Sequence, residues 1–181
     1  DADGMLLRNG KPFFPLGIYI DAANEETLAE LKGTAFNCVL PYSPLTREQA
    51  DACARQGLMA VASVNGTYFN TPHWPYVVRK EIDCVEGEER YIAKLMRPLL
   101  DHPAVLAWYL NDERPLSMIE NLIGRRELVK ECDPDHPSWS VLYQVDQMRD
   151  YMPSSDVLGT DPYPIPDGPI GRAYEWADKT F

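Results

Sequence analysis

Histidine and cysteine are scarce in this chain, three and four residues in 181, and neither type clusters. No C-x-x-C pair and no H-x-H occurs, so a zinc or iron–sulfur centre finds no ligand set, and neither a metal nor another cofactor is expected. Cys38 lies in an apolar strand pattern and Cys53 on a helical one, which favours buried free thiols over disulfides. Glycine-rich phosphate loops are missing too. FFPLGIYIDAANEE, around the first long strand candidate, holds no G-x-G-x-x-G, and the chain has no G-x-x-x-x-G-K, which argues against nucleotide binding. Basic residues are few, 17 Lys and Arg against 28 Asp and Glu, for a formal charge of −11. That charge repels a phosphate backbone or an anionic lipid surface, so neither nucleic acid nor membrane is an expected partner; a neutral ligand such as a sugar fits better. No apolar run nears the ~20 residues of a membrane span. The opening DADGMLLRNG also lacks the basic region and apolar core of a secretion signal.

What is present is a globular composition, 45% hydrophobic with 10% aromatic residues, in a length that suits one domain over residues 1–181. Residues 5–11, MLLRNGK, read as a strand and an Asn-Gly turn, the start of a β-hairpin. Strand and helix patterns then alternate. Apolar runs at 13–19, 36–40, 58–64, 104–110, 138–142 and 156–160 are separated by helical stretches at 24–32, 46–56, 87–100, 116–131 and a short one ending at 151, with a last helix over 170–181. Asn24 and Thr46 have the chemistry of N-caps, and Gly57 that of a helix terminator. This βα cadence predicts an all-parallel sheet of about six β/α units, fewer than the eight of a closed barrel. An open doubly wound sheet is the alternative, and an unclosed sheet leaves two edges that invite a homo-oligomer. Residues 65–83 interrupt the rhythm with a long aromatic loop, NGTYFNTPHWPYVVRKEID.

The chemistry concentrates in residues 102–115, HPAVLAWYLNDERP. An apolar run suited to a strand covered on both faces ends in Asn111, Asp112 and Glu113, where such a strand reaches the carboxyl-terminal rim of a parallel sheet. Two adjacent carboxyls there have two readings. They cap the helix that starts near residue 116, or one of them is an acid kept protonated by burial and like charge. Side-chain alternation along a strand sets Asp112 and Glu113 on opposite sides and so weakens their coupling.

Trp108-Tyr109-Leu110-Asn111-Asp112-Glu113 resembles the fourth-strand signature of the clan of retaining TIM-barrel glycosidases, in which a tryptophan is followed after three residues by Asn or Asp and then Glu. The resemblance implies a (β/α)8 TIM-barrel-like fold, here incomplete, with a carbohydrate substrate and Glu113 as general acid/base. It departs in two places: Asp112 stands where the clan most often has Asn, and Arg114 separates Glu113 from Pro115. Matching Asn111-Asp112 to the pair instead would make Asp112 the acid. The clan's nucleophile is a glutamate ending strand seven, which this sequence does not reach, so it is expected beyond residue 181. A secreted or periplasmic setting also follows from the resemblance alone. Other residues expected at a sugar are Tyr19, Tyr42, Asn65, Tyr143, Asp161 and Tyr163 at strand ends, with Trp74 held between Pro72 and Pro75 in the aromatic loop. Asn111 and Asp112 join them. Tyr68 and Phe69 are further stacking candidates, Trp108 and Trp139 are expected in the core, and Glu175 on a solvated helix face. The rival function is a non-catalytic carbohydrate-binding or interaction module on the same scaffold.

Overall fold

The structure, a computed structural model, describes residues 5–66, 68–69, 84–166 and 168–180. Trp74, with Asn70 and His73, lies outside the described residues. The chain opens with the expected hairpin, β1 (Leu7–Arg8) against β2 (Lys11–Pro12), antiparallel with Leu7 opposite Pro12. Asn9 and Gly10 both take positive φ, 51° and 73°, the two-residue turn whose twist suits paired strands.

Six parallel strands follow, β3 (Gly17–Ile20), β4 (Cys38–Pro41), β5 (Met59–Ser63), β6 (Val105–Asp112), β7 (Ser138–Leu142) and β8 (Val157–Thr160), and they pair strictly in chain order. The sheet curls as a half-barrel. An order with no reversal rules out the doubly wound alternative, in which strand order must turn back at a switch point. Between the strands run α1 (Glu25–Glu30), α2 (Arg47–Arg55), α3 (Val85–Met96), α4 (Ile119–Cys132) and the short α5 (Met148–Tyr151), with α6 (Arg172–Thr180) after the last. Asn24 caps α1 by accepting from the Thr27 N–H at 2.9 Å. Thr46 and Gln49 form a reciprocal capping box on α2, which ends at Gly57 with φ 75°.

Strand residues alternate between two apolar layers, as period-2 side chains on a doubly covered sheet must. Val39, Ala60, Ala62, Trp108 and Leu110 pack outward with Leu28, Cys53, Ile92, Met96 and Val129 of the helices. Cys38, Leu40, Met59, Val61, Tyr109 and Val141 pack together on the other face, where Leu6 and Phe13 from the hairpin region join them. Trp108 is fully buried, and Trp139 is partly buried against the second layer. All four cysteines are free, Cys38 and Cys53 buried.

Among the boundaries that differ from expectation, two have a visible cause. The first sheet strand begins at Gly17 rather than residue 13, because Asn37 takes the Leu16 N–H and the Phe14 carbonyl with its side chain, outside any ladder. The fourth ends at Asp112 rather than residue 110, because Asn111 and Asp112 still pair with Ser140 and Val141 of β7.

Candidate active site at the carboxyl rim

Polar residues at the end of β6 are set by an irregularity. Its register against β7 shifts between Tyr109 and Asn111, so the strict alternation of side chains breaks there. Tyr109 lies in the inner layer and donates its hydroxyl to Asp112 Oδ1 at 2.8 Å. The next residue, Glu113, leaves the strand with φ 57°, a left-handed conformation that costs a residue bearing a Cβ roughly 1–2 kcal/mol. Its N–H still bonds the Val141 carbonyl at 2.9 Å. Past this turn the Glu113 carboxyl hydrogen-bonds Asp161, and of its two acidic neighbours Asp112 acts on it more weakly than Asp161 does. Neither acid caps a helix. The turn over Leu116–Met118 and α4 after it both start with no side-chain cap bond.

Burial pushes the Glu113 carboxyl up to about 7, helped by its hydrogen bond with Asp161 and by the charges of Asp161 and Asp112. Asp161, directly after β8, is raised as well, chiefly by burial and then by the Asp112 charge. Its Oδ2 accepts from the Tyr163 hydroxyl at 3.1 Å. Its enclosed Oδ1 meets no donor among the described residues while both carboxyls are ionised. The hydrogen bond between the two carboxyls favours a proton on Glu113, which raises Glu113 and opposes the rise of Asp161.

This pair has a consequence for stability. Between the ordinary carboxyl value of 4.5 and about 7, the native state holds a proton that the unfolded chain has released. The contribution of Glu113 to stability is therefore full below that window and is lost as pH rises through it. Glu113→Gln, which cannot ionise, is expected to gain stability over the parent at pH 8 relative to pH 5, by about 1–2 kcal/mol after solvent screening. Urea denaturation at the two pH values measures this, and parallel curves for parent and variant would refute it.

A line of hydroxyls runs from the rim into the inner layer. Tyr19 stacks on Tyr42 with ring centroids 5.1 Å apart and donates to the Tyr109 hydroxyl at 3.2 Å, which in turn donates to Asp112. Burial raises Tyr19 to about 12 and moves Tyr109, Tyr42 and Tyr163 in the same direction, so all four stay protonated at neutral pH.

Tyr19, Tyr42, Asn65, Asp112, Glu113, Tyr143, Asp161 and Tyr163 all lie at or just past the carboxyl ends of their strands. Tyr42, Tyr143 and Tyr163 are 58%, 50% and 66% exposed, rings open to a ligand. Asn65 accepts from Ser63 through its side chain, and its carbonyl takes the Arg114 guanidinium at 3.3 Å. Asn111, expected at the ligand, is instead fully buried, its Oδ1 accepting the Arg114 N–H at 2.9 Å. Tyr68 is likewise no stacking platform. Its buried ring lies 4.1 Å under the Arg125 guanidinium and its hydroxyl donates to the Leu110 carbonyl at 2.7 Å. Glu175 is exposed on α6. Among the described residues no group of three or more His, Cys, Asp or Glu could hold a metal ion, and no helix is long and apolar enough to cross a membrane.

No protein-family model matches this chain, and no curated protein matches it. Solved structures do share its fold. A glycosyl hydrolase family 2 member from Bacteroides cellulosilyticus DSM 14838 is 18% identical with TM-score 0.64, over 94% of this chain and 27% of that one. A beta-glucuronidase from Bacteroides uniformis is 16% identical with TM-score 0.71, over 94% and 23%. A GH2 beta-galacturonidase from Eisenbergiella tayi, bound to galacturonate, is 16% identical with TM-score 0.69, over 95% and 32%. The chain thus spans about a quarter to a third of the length of these structures, and at such identity the likeness is one of fold.

Proposed function

We propose that these residues are the first six units of a single (β/α)8 catalytic domain that hydrolyses glycosides, with Glu113 as the general acid/base. The observation that carries this reading is the Glu113 carboxyl itself, held at the end of the fourth strand of a parallel sheet and raised to about 7 by burial and by Asp161. An acid that keeps its proton at neutral pH is what cleavage of an alkoxide leaving group requires. The fold shared with family 2 glycosyl hydrolases supports it.

In the proposed first step, the sugar lies on the exposed tyrosine rings and Glu113 gives its proton to the glycosidic oxygen as the C–O bond breaks. The nucleophile, a second carboxylate ~5–5.5 Å away that attacks the anomeric carbon, is assigned to a later strand. Glu113, now ionised, then takes a proton from the water that releases the sugar, which restores the starting state. Asp112, fixed by the Tyr109 hydroxyl, offers acceptors to a sugar hydroxyl. Asp112, Glu113 and Asp161 form an acidic rim whose charge disfavours an anionic sugar, so the substrate is assigned as neutral.

The test is hydrolysis of aryl glycosides by the full-length protein, with neutral sugars and uronates side by side. Cleavage of a neutral sugar with a rate that falls above about pH 7 supports the reading. Binding without turnover would move the protein to a carbohydrate-binding module, for which the same exposed tyrosines would serve.

A further inference from the structure

Glu113, whose carboxyl hydrogen-bonds Asp161, has a left-handed backbone, and nothing in its own side chain favours that conformation. The surroundings must impose it. Three hydrogen bonds converge on the two peptide groups that follow Cα of Glu113 and on the one before it. The Glu113 N–H is fixed to Val141 on β7 at 2.9 Å, the Arg114 N–H to Asn111 Oδ1 at 2.9 Å, and the Arg114 carbonyl to the Tyr151 hydroxyl at 2.8 Å. Both side chains that do this are fully buried, and Tyr151 sits on α5, far from Glu113 in sequence. Burial raises the Tyr151 hydroxyl to about 12, so it remains a donor. A more distant amide, from Gln144, reaches the same carbonyl at 3.4 Å.

We infer that Asn111 and Tyr151 are positioning residues, which clamp the peptide groups on either side of Arg114 and so hold Glu113 in the left-handed turn that sets its carboxyl on the rim. Released from the clamp, Glu113 relaxes to the extended backbone that a residue with a Cβ prefers, and its side chain swings to the face opposite Asp112. This rests on the reading of Glu113 as the acid. Both clamp side chains are fully buried, and the effect assigned to them passes through one backbone angle.

The experiment is NMR on full-length protein labelled with 13C,15N-glutamate, the Glu113 signals being identified by their loss in Glu113→Gln. The Cα shift and the HN–Hα coupling report φ, and the carboxyl carbon reports titration. Asp112 and Asp161, the charges that face Glu113, are unchanged in every clamp variant. In Tyr151→Phe and Asn111→Ala, folded as judged by the other glutamate signals, Glu113 is expected to show extended values and a titration midpoint lower by about one unit, a tenfold change in its protonation equilibrium. Asn111→Ser keeps an acceptor oxygen and is expected to restore both. Folded variants with parental φ and midpoint would overturn the clamp. Should the variants not fold, hydrogen exchange on the parent decides, because a clamped Arg114 amide is protected and a freely exchanging one ends the proposal. A parent in which Glu113 is left-handed yet titrates as an ordinary carboxyl removes Glu113 as the acid and leaves the clamp intact.

Discussion

Glu113→Gln in the full-length protein is expected to slow hydrolysis of alkyl glycosides, whose leaving groups need a proton, by about 10²–10⁴-fold. Nitrophenyl glycosides, which leave without one, are expected to lose less than about tenfold in their first step. The reason is the proton: Glu113 carries it to about pH 7 in the parent, and glutamine has none to give. The fall in rate above pH 7 is expected to vanish with it. A structural role for Glu113 predicts something else, a uniform loss across leaving groups that tracks stability. Equal losses for alkyl and nitrophenyl substrates would therefore transfer the acid to Asp112 or end the glycosidase reading.

Arg125→Met is expected to destabilise the protein by about 3–5 kcal/mol, far more than a surface charge change. Arg125 is 2% exposed; its guanidinium pairs with Glu88, bonds the Val64 carbonyl and covers the Tyr68 ring at 4.1 Å. The variant leaves Glu88, 15% exposed, with its charge uncompensated and the Val64 carbonyl without that donor. Adding Glu88→Leu is expected to recover most of the loss, since removing both charges removes the penalty of burying one. The comparison is Arg55→Ala, which breaks the pair with Glu25 at 57% and 58% exposure and is expected to cost under about 1 kcal/mol. Urea denaturation of the three variants orders them, and a loss below about 1 kcal/mol for Arg125→Met would contradict the assignment.

Why some of this was legible in the sequence and some was not follows from the reach of each interaction. Asn24, the Thr46–Gln49 box, Gly57 and the Asn9-Gly10 turn act on backbone within four residues, so residue type alone located them. The apolar runs announced the six strands, and the strand ends announced the rim. The end of β6 was misjudged because Asn111 and Asp112 owe their strand pairing to β7, some thirty residues on. Asn111 was expected at the ligand as a polar strand-end residue and Tyr68 was a stacking candidate in the aromatic loop, yet both are buried, against the Arg114 peptide and the Arg125 guanidinium. Asp161 was marked as a rim residue, but its hydrogen bond with Glu113 joins residues far apart in sequence and is signalled by neither residue type. Nothing in the sequence marks Tyr109 and Tyr151 for the site: their rings are buried, and their hydroxyls alone reach it.

The strict chain order of the six strands bears on how the molecule is made. Every strand pairing in the sheet joins one β/α unit to the next, so no strand waits for a partner more than one unit away. During synthesis, β3 and β4 can pair before β5 leaves the ribosome, and each later strand meets an edge already formed. Growth proceeds from one end, with the most recent strand always the exposed template. The same vectorial route places β6, and with it Glu113, on three strands already in position, while the Val141 and Tyr151 contacts that fix its turn arrive only with the following unit.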